Sequence, residues 1–100
     1  MMSLSRLIFV ILAWALPFAF VWAADYEKGL NAYIQGDFAT SYIEWIALAK
    51  EGNVRAQKRL GDLYFSGLAV EKDLSEAEKW WREAALMGDV EAQHNMSVVL

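Results

Sequence analysis

Cysteine is absent from this chain of 100 residues, and proline occurs only once. Without cysteine there is no disulfide, no thiolate metal site and no cysteine nucleophile. With one proline and six glycines, the chain is not of low complexity. Basic residues are also scarce, at 9 against 13 acidic ones. We therefore expect no nucleic-acid partner, because such a partner requires a basic face against its phosphates.

Hydrophobic residues make up 57% of the chain and are concentrated at its N-terminus. Arg6 precedes an apolar stretch, Leu7 to Trp22, and small residues follow before Asp25. This order is typical of a secretory signal, so we predict a signal peptide over residues 1–23 that is cleaved after Ala23. The alternative is an uncleaved N-terminal membrane anchor, because the stretch reaches the lower length limit of a spanning helix. Both interpretations predict export. A cleaved signal peptide places the chain in the periplasm or outside the cell, and an uncleaved anchor holds it in the inner membrane, facing the periplasm.

The chain repeats itself at an offset of 36 residues. The run Gly52–Gln57 (GNVRAQ) recurs as Gly88–Gln93 (GDVEAQ), and Trp45 pairs with Trp81 at the same offset. Apolar residues fall at helical spacing, and no segment has the period-two alternation of a strand. Glycine followed by Asp or Asn separates the segments, which suits the end of one helix and the N-cap of the next.

We therefore predict an all-α fold, a short α-solenoid of antiparallel helix pairs. The predicted helices span roughly 25–35, 38–51, 54–66 and 74–87, and a fifth begins near residue 90. Asp73 and Glu76 have the spacing of a capping box at the start of the fourth helix.

Residues 56–92 resemble the Sel-one-like repeat, a relative of the tetratricopeptide repeat with a longer loop between its helices. Small residues, glycines and aromatic residues carry the resemblance in the family's order: Ala56, Leu60, Gly61, Tyr64, Gly67, Asp73, Ala77, Trp81, Ala84, Ala85, Gly88 and Ala92. The resemblance implies a scaffold or adaptor that binds a protein or peptide, without enzymatic activity or a cofactor. Two positions depart from the family pattern. Ala69 replaces a loop glycine, which predicts a strained or differently shaped loop, and Ser97 replaces the counterpart of Gly61.

By this resemblance the chain has three units after its leader. Residues 25–52 form a degenerate tetratricopeptide-like unit, 53–88 a Sel-one-like repeat, and 89–100 the start of a further, incomplete repeat. The last helix carries an apolar stripe: Ala92, Met96, Val99 and Leu100. Its exposure predicts a partial coding sequence or, alternatively, self-association through the open C-terminal end.

The first helices of successive units line the concave face of such a solenoid, and the resemblance implies that this face binds the partner. We therefore expect the first, third and fifth helices to form the binding surface, with the loop Ser66–Lys72 at its edge. The candidate contacts are polar residues of the third and fifth helices: Arg55, Gln57, Lys58, Arg59, Asp62 and His94. The alternative interpretation is a solvated amphipathic face.

Other residues that could carry chemistry have structural interpretations. Trp45, Trp80 and Trp81 could form an aromatic platform for a peptide or glycan, but their helical spacing favours packing between helices. Trp45 and Trp81 match across the repeat, whereas Trp80 has no counterpart and is expected to pack, with half exposure as the alternative. His94 is the sole histidine, so we expect a surface residue and no metal site. The rival functions are a cell-envelope enzyme or enzyme inhibitor acting on peptidoglycan, for which the sequence supplies no nucleophile constellation, and a nonfunctional fragment of a longer repeat protein.

Overall fold

The computed structural model describes residues 23–99, and this part of the chain consists of five α-helices without a strand. The helices are α1 (Tyr26–Ile34), α2 (Phe38–Lys50), α3 (Val54–Ser66), α4 (Leu74–Leu86) and α5 (Val90–Val99). The predicted all-α fold is confirmed, and the predicted helix ends agree within one residue. The predictions of an N-terminal leader and of an apolar role for Leu100 fall on residues outside the described range. Within that range, no helix has the length and apolar character needed to cross a bilayer.

The helix boundaries follow the predicted cap chemistry. The side chains of Asp37, Asn53, Asp73 and Asp89 each accept a hydrogen bond from the backbone N–H three residues further on. Each satisfies a donor that has no partner inside the helix. Gly36, Gly52 and Gly88 precede three of these caps with φ angles of 82°, 95° and 96°. These angles favour glycine because a Cβ would clash there with the backbone.

The capping box predicted at the start of α4 is only half formed. The Asp73 carboxylate accepts the Glu76 N–H at 3.1 Å. The Asp73 N–H, however, donates to the carbonyl oxygen of Tyr64 at 3.0 Å, so it is not available to the Glu76 carboxylate. That carboxylate instead lies 4.0 Å from the Lys79 ammonium. The long loop between α3 and α4 is therefore closed by a backbone bond rather than by a second side chain.

Each helix packs mainly on its neighbours in sequence, and two cores lie one after the other along the molecule. The first core centres on Trp45 and Leu60, and the second on Trp81 and Ala84. Trp80 belongs to the first core and is 9% exposed, so it packs between helices as expected and is not half exposed. Adjacent residues point about 100° apart around a helix. Trp80 therefore faces the core of α2 and α3 while Trp81 faces the core that α5 completes.

Glycine and tryptophan form the same contact in both complete helix pairs. A Cβ on Gly61 would lie 2.9 Å from Trp81 Cγ, and one on Gly29 would lie 2.9 Å from Trp45 Cδ1. The Trp81 indole donates to the carbonyl oxygen of Lys58 at 3.2 Å, and the Trp45 indole donates to that of Tyr26 at 3.2 Å. The unit predicted to be degenerate therefore shares the packing of the unit after it.

Ser97 replaces this contact with a local bond in α5. Its hydroxyl donates to the carbonyl oxygen of His94 at 2.6 Å. By the offset of 36 residues, His94 corresponds to Lys58, whose carbonyl accepts the indole of Trp81. The Ser97 hydroxyl therefore donates to the carbonyl oxygen whose counterpart in the preceding unit accepts from a tryptophan indole. Met96 and Val99 of the predicted apolar stripe pack partly against the second core.

The loop between α3 and α4 contains the strain predicted at Ala69. Its φ of 65° lies in the left-handed region, and no other non-glycine residue of the described segment has a positive φ. A left-handed conformation costs an L-residue with a Cβ about 1–2 kcal/mol. Gly67 ends α3 in the same region, with a φ of 69°.

Candidate functional site

Helices α1, α3 and α5 lie side by side and form one face, here called the odd-helix face. Arg59 on α3 donates from Nε to the Tyr26 hydroxyl on α1 at 3.3 Å. Lys58, also on α3, lies with its ammonium 2.6 Å from a carboxylate oxygen of Glu91 on α5. These bonds cross from the first helix of one unit to the first helix of the next. Two clefts open on this face.

The first, here called the polar cleft, has a volume of about 220 Å³. Charged and hydroxyl-bearing side chains line it: Tyr26, Arg55, Lys58, Arg59, Asp89 and Glu91. The Arg55 guanidinium lies 4.0 Å from the centroid of the Tyr26 ring, which is cation–π distance. The Arg55 side chain remains largely exposed, and its ionic contact with Glu27 is long at 4.0 Å.

Ion pairing holds the charges of the polar cleft in place. Partial burial lowers the pKa of the Lys58 ammonium, but hydrogen bonds to the carboxylates of Asp62 and Glu91 outweigh burial, so this pKa lies above its ordinary value. The Lys58 hydrogen bond lowers the pKa of Glu91 in turn. Burial likewise opposes the charge on Arg59, and the Tyr26 hydroxyl more than compensates, which raises the pKa of the guanidinium. Lys58, Arg59 and Glu91 are therefore charged at neutral pH.

The second, here called the aromatic cleft, lies between α3 and α5 and has a volume of about 280 Å³. The rings of Tyr33, Phe65 and Trp81 contribute to its walls, and Asp62 and Asn95 are among its polar residues. The centroids of the Phe65 and Trp81 rings are 5.2 Å apart. Asp62 accepts from the Trp81 indole at 3.1 Å and pairs with the Lys58 ammonium at 2.8 Å. Its carboxylate therefore borders both clefts.

The fold brings five of the six predicted contact residues to these clefts. Arg55, Lys58 and Arg59 line the polar cleft, while Asp62 and His94 line the aromatic cleft. His94 is exposed, as expected. In residues 23–99, no group of three histidine or carboxylate side chains is placed to hold a metal ion. Ser66, at the start of the predicted edge loop, also lines the aromatic cleft.

Gln57 does not lie on this surface and is only 6% exposed. Its amide donates to the carbonyl oxygen of Ala49 at 3.2 Å, which ties α3 to the end of α2. Gln93 repeats the contact with Ala85 at 3.1 Å. The recurrence of this glutamine at an offset of 36 residues therefore indicated a structural role. Gln57 joins two helices and does not lie on the surface predicted to contact the partner.

Sequence reasoning missed the aromatic residues and the amide of the aromatic cleft. Tyr33 and Phe65 each occupy the last turn of a first helix, one residue before its end. This shared position was the available signal. Nothing local in the sequence indicated Asn95, because its importance depends on which residue stands opposite it on α3.

Comparison with known proteins identifies one segment. Residues 54–89 match the family model of the Sel1 repeat, whereas neither the curated proteins nor the solved structures gave a significant match. The matched segment spans α3, the long loop and α4, and it includes the contact between Gly61 and Trp81. Sel1 repeats are typical of helical proteins that mediate protein–protein interactions. Residues 23–99 are accordingly a short helical solenoid, of which residues 54–89 match the Sel1 repeat.

Proposed function

We propose that the odd-helix face binds a segment of a partner protein, so that this chain is an interaction scaffold or adaptor that acts outside the cytoplasm. The carrying observation is the pair of clefts of different character, one charged and one aromatic, which adjoin at Lys58 and Asp62. A peptide that crosses the face meets ion-pairing groups and then apolar walls. Such a combination of polar groups and aromatic walls is common in binding sites.

The contacts within the solenoid support binding by a preformed surface. Cross-helix bonds from Arg59 and Lys58 join α1, α3 and α5, and the indoles of Trp45 and Trp81 bond to the backbone beneath them. A surface that is ordered before binding loses little conformational entropy when the partner arrives. The apolar N-terminal stretch ahead of Asp25 supports the proposed export.

An enzymatic alternative has less support from the polar cleft. The lining of the polar cleft contains no serine, threonine or histidine. Its hydroxyl group, that of Tyr26, accepts a hydrogen bond from Arg59. A nucleophile with an adjacent base is the arrangement that peptidoglycan hydrolysis by acyl transfer requires, and the residues of this lining do not supply one.

Export and binding are tested with one preparation. The full coding sequence is expressed in an exporting bacterium, the exported product is purified, and its mass is measured. We expect a chain that begins at Ala24, and a product that retains the leader in the membrane fraction contradicts cleavage. The exported product is then used to select binders from a random peptide library.

Two charge reversals locate the binding surface. Arg55→Glu changes the odd-helix face and Lys79→Glu changes α4, at side chains that are 65% and 60% exposed. We expect the selected peptides to bind Arg55→Glu about tenfold more weakly than the unmodified chain, because the loss of one ion pair costs about 1.4 kcal/mol of binding free energy, which is a tenfold change in Kd. The peptides should bind Lys79→Glu normally. The absence of enriched peptides, or equal losses in both variants, overturns the proposal.

A further inference from the structure

A cation covers an aromatic pair of the first unit, whereas the corresponding pair of the second unit lines an open cleft. Arg59, on α3 of the second unit, extends over the rings of Tyr33 and Trp45 in the first unit, with its guanidinium carbon 5.9 Å from each ring centroid. Its Nε also donates to the Tyr26 hydroxyl. The pair formed by Tyr33 on α1 and Trp45 on α2 is thus covered by an arginine of the following unit.

Asn95 stands 36 residues after Arg59 and is the corresponding residue of α5. Its amide approaches Asp62 at 3.5 Å, and the shorter side chain does not extend over the aromatic pair of the preceding unit as Arg59 does. Phe65 and Trp81 therefore remain as walls of the aromatic cleft of about 280 Å³. The cleft is open because an asparagine has replaced an arginine.

The charges around the aromatic cleft favour a cation. The lining of the aromatic cleft contains the carboxylate of Asp62 and no lysine or arginine. The Lys58 ammonium, 2.8 Å from Asp62, lies in the polar cleft. Gly29 corresponds to Gly61, because both contact a tryptophan, and the two are 32 residues apart. At the same offset, Leu30 of the first unit corresponds to Asp62. The second unit therefore adds a carboxylate beside the aromatic pair whose covering arginine it lacks.

We propose that the aromatic cleft binds an arginine side chain of the partner protein. The guanidinium stacks on the exposed ring of Phe65, which lies against Trp81, and pairs with the Asp62 carboxylate, as the internal guanidinium of Arg59 lies over the first unit. A planar guanidinium both stacks on aromatic rings and donates to a carboxylate, whereas an ammonium is a compact, strongly hydrated charge. This inference rests on the proposed function and names the chemistry of the partner at one of its two clefts.

The test uses acetyl-arginine methylamide as the probe and its neutral isostere, acetyl-citrulline methylamide, as the control. Both are titrated into the isotopically labelled exported product, and nuclear magnetic resonance follows the indole N–H of Trp81 and the amide of Asp62. We expect saturable shifts at both groups with the arginine probe in the millimolar range. The citrulline probe should bind about tenfold more weakly because it lacks the charge that the aromatic rings and the carboxylate attract.

Variants at two positions separate the proposed site from general charge attraction. Asn95→Arg places an arginine of this chain over the cleft and should abolish binding of the probe, whereas Asn95→Ala leaves the cleft open and should preserve it. Asp62→Asn retains an acceptor for the Trp81 indole but removes the charge, and should weaken binding about tenfold. Equal binding of the two probes, or undiminished binding to Asn95→Arg, overturns the inference.

The two proposals fail in different ways. If selected peptides lose affinity for Arg55→Glu but the arginine probe does not bind the cleft, the face binds a partner and the assignment of arginine is wrong. If the selected peptides are indifferent to Arg55→Glu, the proposed function fails whatever the probe does. Peptides that bind the odd-helix face and contain an arginine whose contribution disappears in Asn95→Arg support both proposals.

Discussion

Gly61→Ala tests whether the close contact between glycine and tryptophan holds the solenoid together. The added Cβ would lie 2.9 Å from Trp81 Cγ, a distance that the neighbouring atoms relieve only by moving. Trp81 is buried in the second core, and its indole donates both to the carbonyl oxygen of Lys58 and to Asp62. Displacement of the ring therefore disturbs packing and two hydrogen bonds together.

The expected loss follows from three contributions. Overpacking of this kind costs about 1–3 kcal/mol, and a weakened indole hydrogen bond costs about 1 kcal/mol more. Alanine returns about 1 kcal/mol because it is the better helix former. We therefore expect the free energy of unfolding to fall by about 2 kcal/mol, and Tm by roughly 8–16 °C for a domain of this size.

The assay is thermal and urea denaturation of the exported product, followed by far-ultraviolet circular dichroism. Ser97→Ala is the matched control, because position 97 corresponds to position 61 and its side chain is exposed. This control should change stability by no more than about 0.5 kcal/mol. Gly29→Ala should also destabilise the chain, since its Cβ would likewise clash with an indole ring, that of Trp45, whose Cδ1 would lie 2.9 Å away. A loss in Gly61→Ala no larger than that in Ser97→Ala would refute the reasoning.

Four other changes have defined outcomes. Asp73→Ala removes the N-cap bond of α4 and should lower the free energy of unfolding by about 1 kcal/mol, measured by urea denaturation. Ala69→Gly relieves a φ of 65° and should raise it by roughly 0.5–1 kcal/mol; an unchanged urea midpoint contradicts this. The pKa of Glu91 in the folded chain lies below its ordinary 4.5, so the contribution of Glu91 to the free energy of unfolding is present above pH 4.5 and is lost as the pH falls through the folded pKa. Glu91→Gln should therefore flatten the acid side of a plot of unfolding free energy against pH. The Tyr42 hydroxyl raises the pKa of Tyr64 to about 12, so this contribution is present below pH 10 and is lost as the pH rises through 12. Tyr42→Phe should remove this late step from the tyrosinate absorbance titration.

The helices were predictable because their signals are local. A glycine followed by Asp37, Asn53 or Asp89 marks both the end of one helix and the cap of the next, and the caps form as expected. The recurrence of Trp45 as Trp81 likewise indicated packing between helices, and both are buried. These features depend on residues a few positions apart, which interact in the same way wherever the segment lies.

The candidate site was less predictable because it depends on which helices become neighbours. Lys58 and Arg59 were placed on the expected face, but their partners on α5 and α1 follow from packing between units. The extent to which Trp80 is buried depends on the same packing, since its burial requires α2 as well as α3. Gln57 was assigned to the surface because a glutamine on a first helix is ordinarily exposed, whereas here it bonds to the preceding helix.

The sequence by itself determined an all-α repeat with known helix ends, a strained Ala69 and the tryptophans that recur between units, because propensity, capping and periodicity act over short distances along the chain. The tertiary structure decided which side chains meet across α1, α3 and α5. The contrast between Arg59, which covers an aromatic pair, and Asn95, which leaves one at an open cleft, exists only when helices 36 residues apart in sequence are packed side by side.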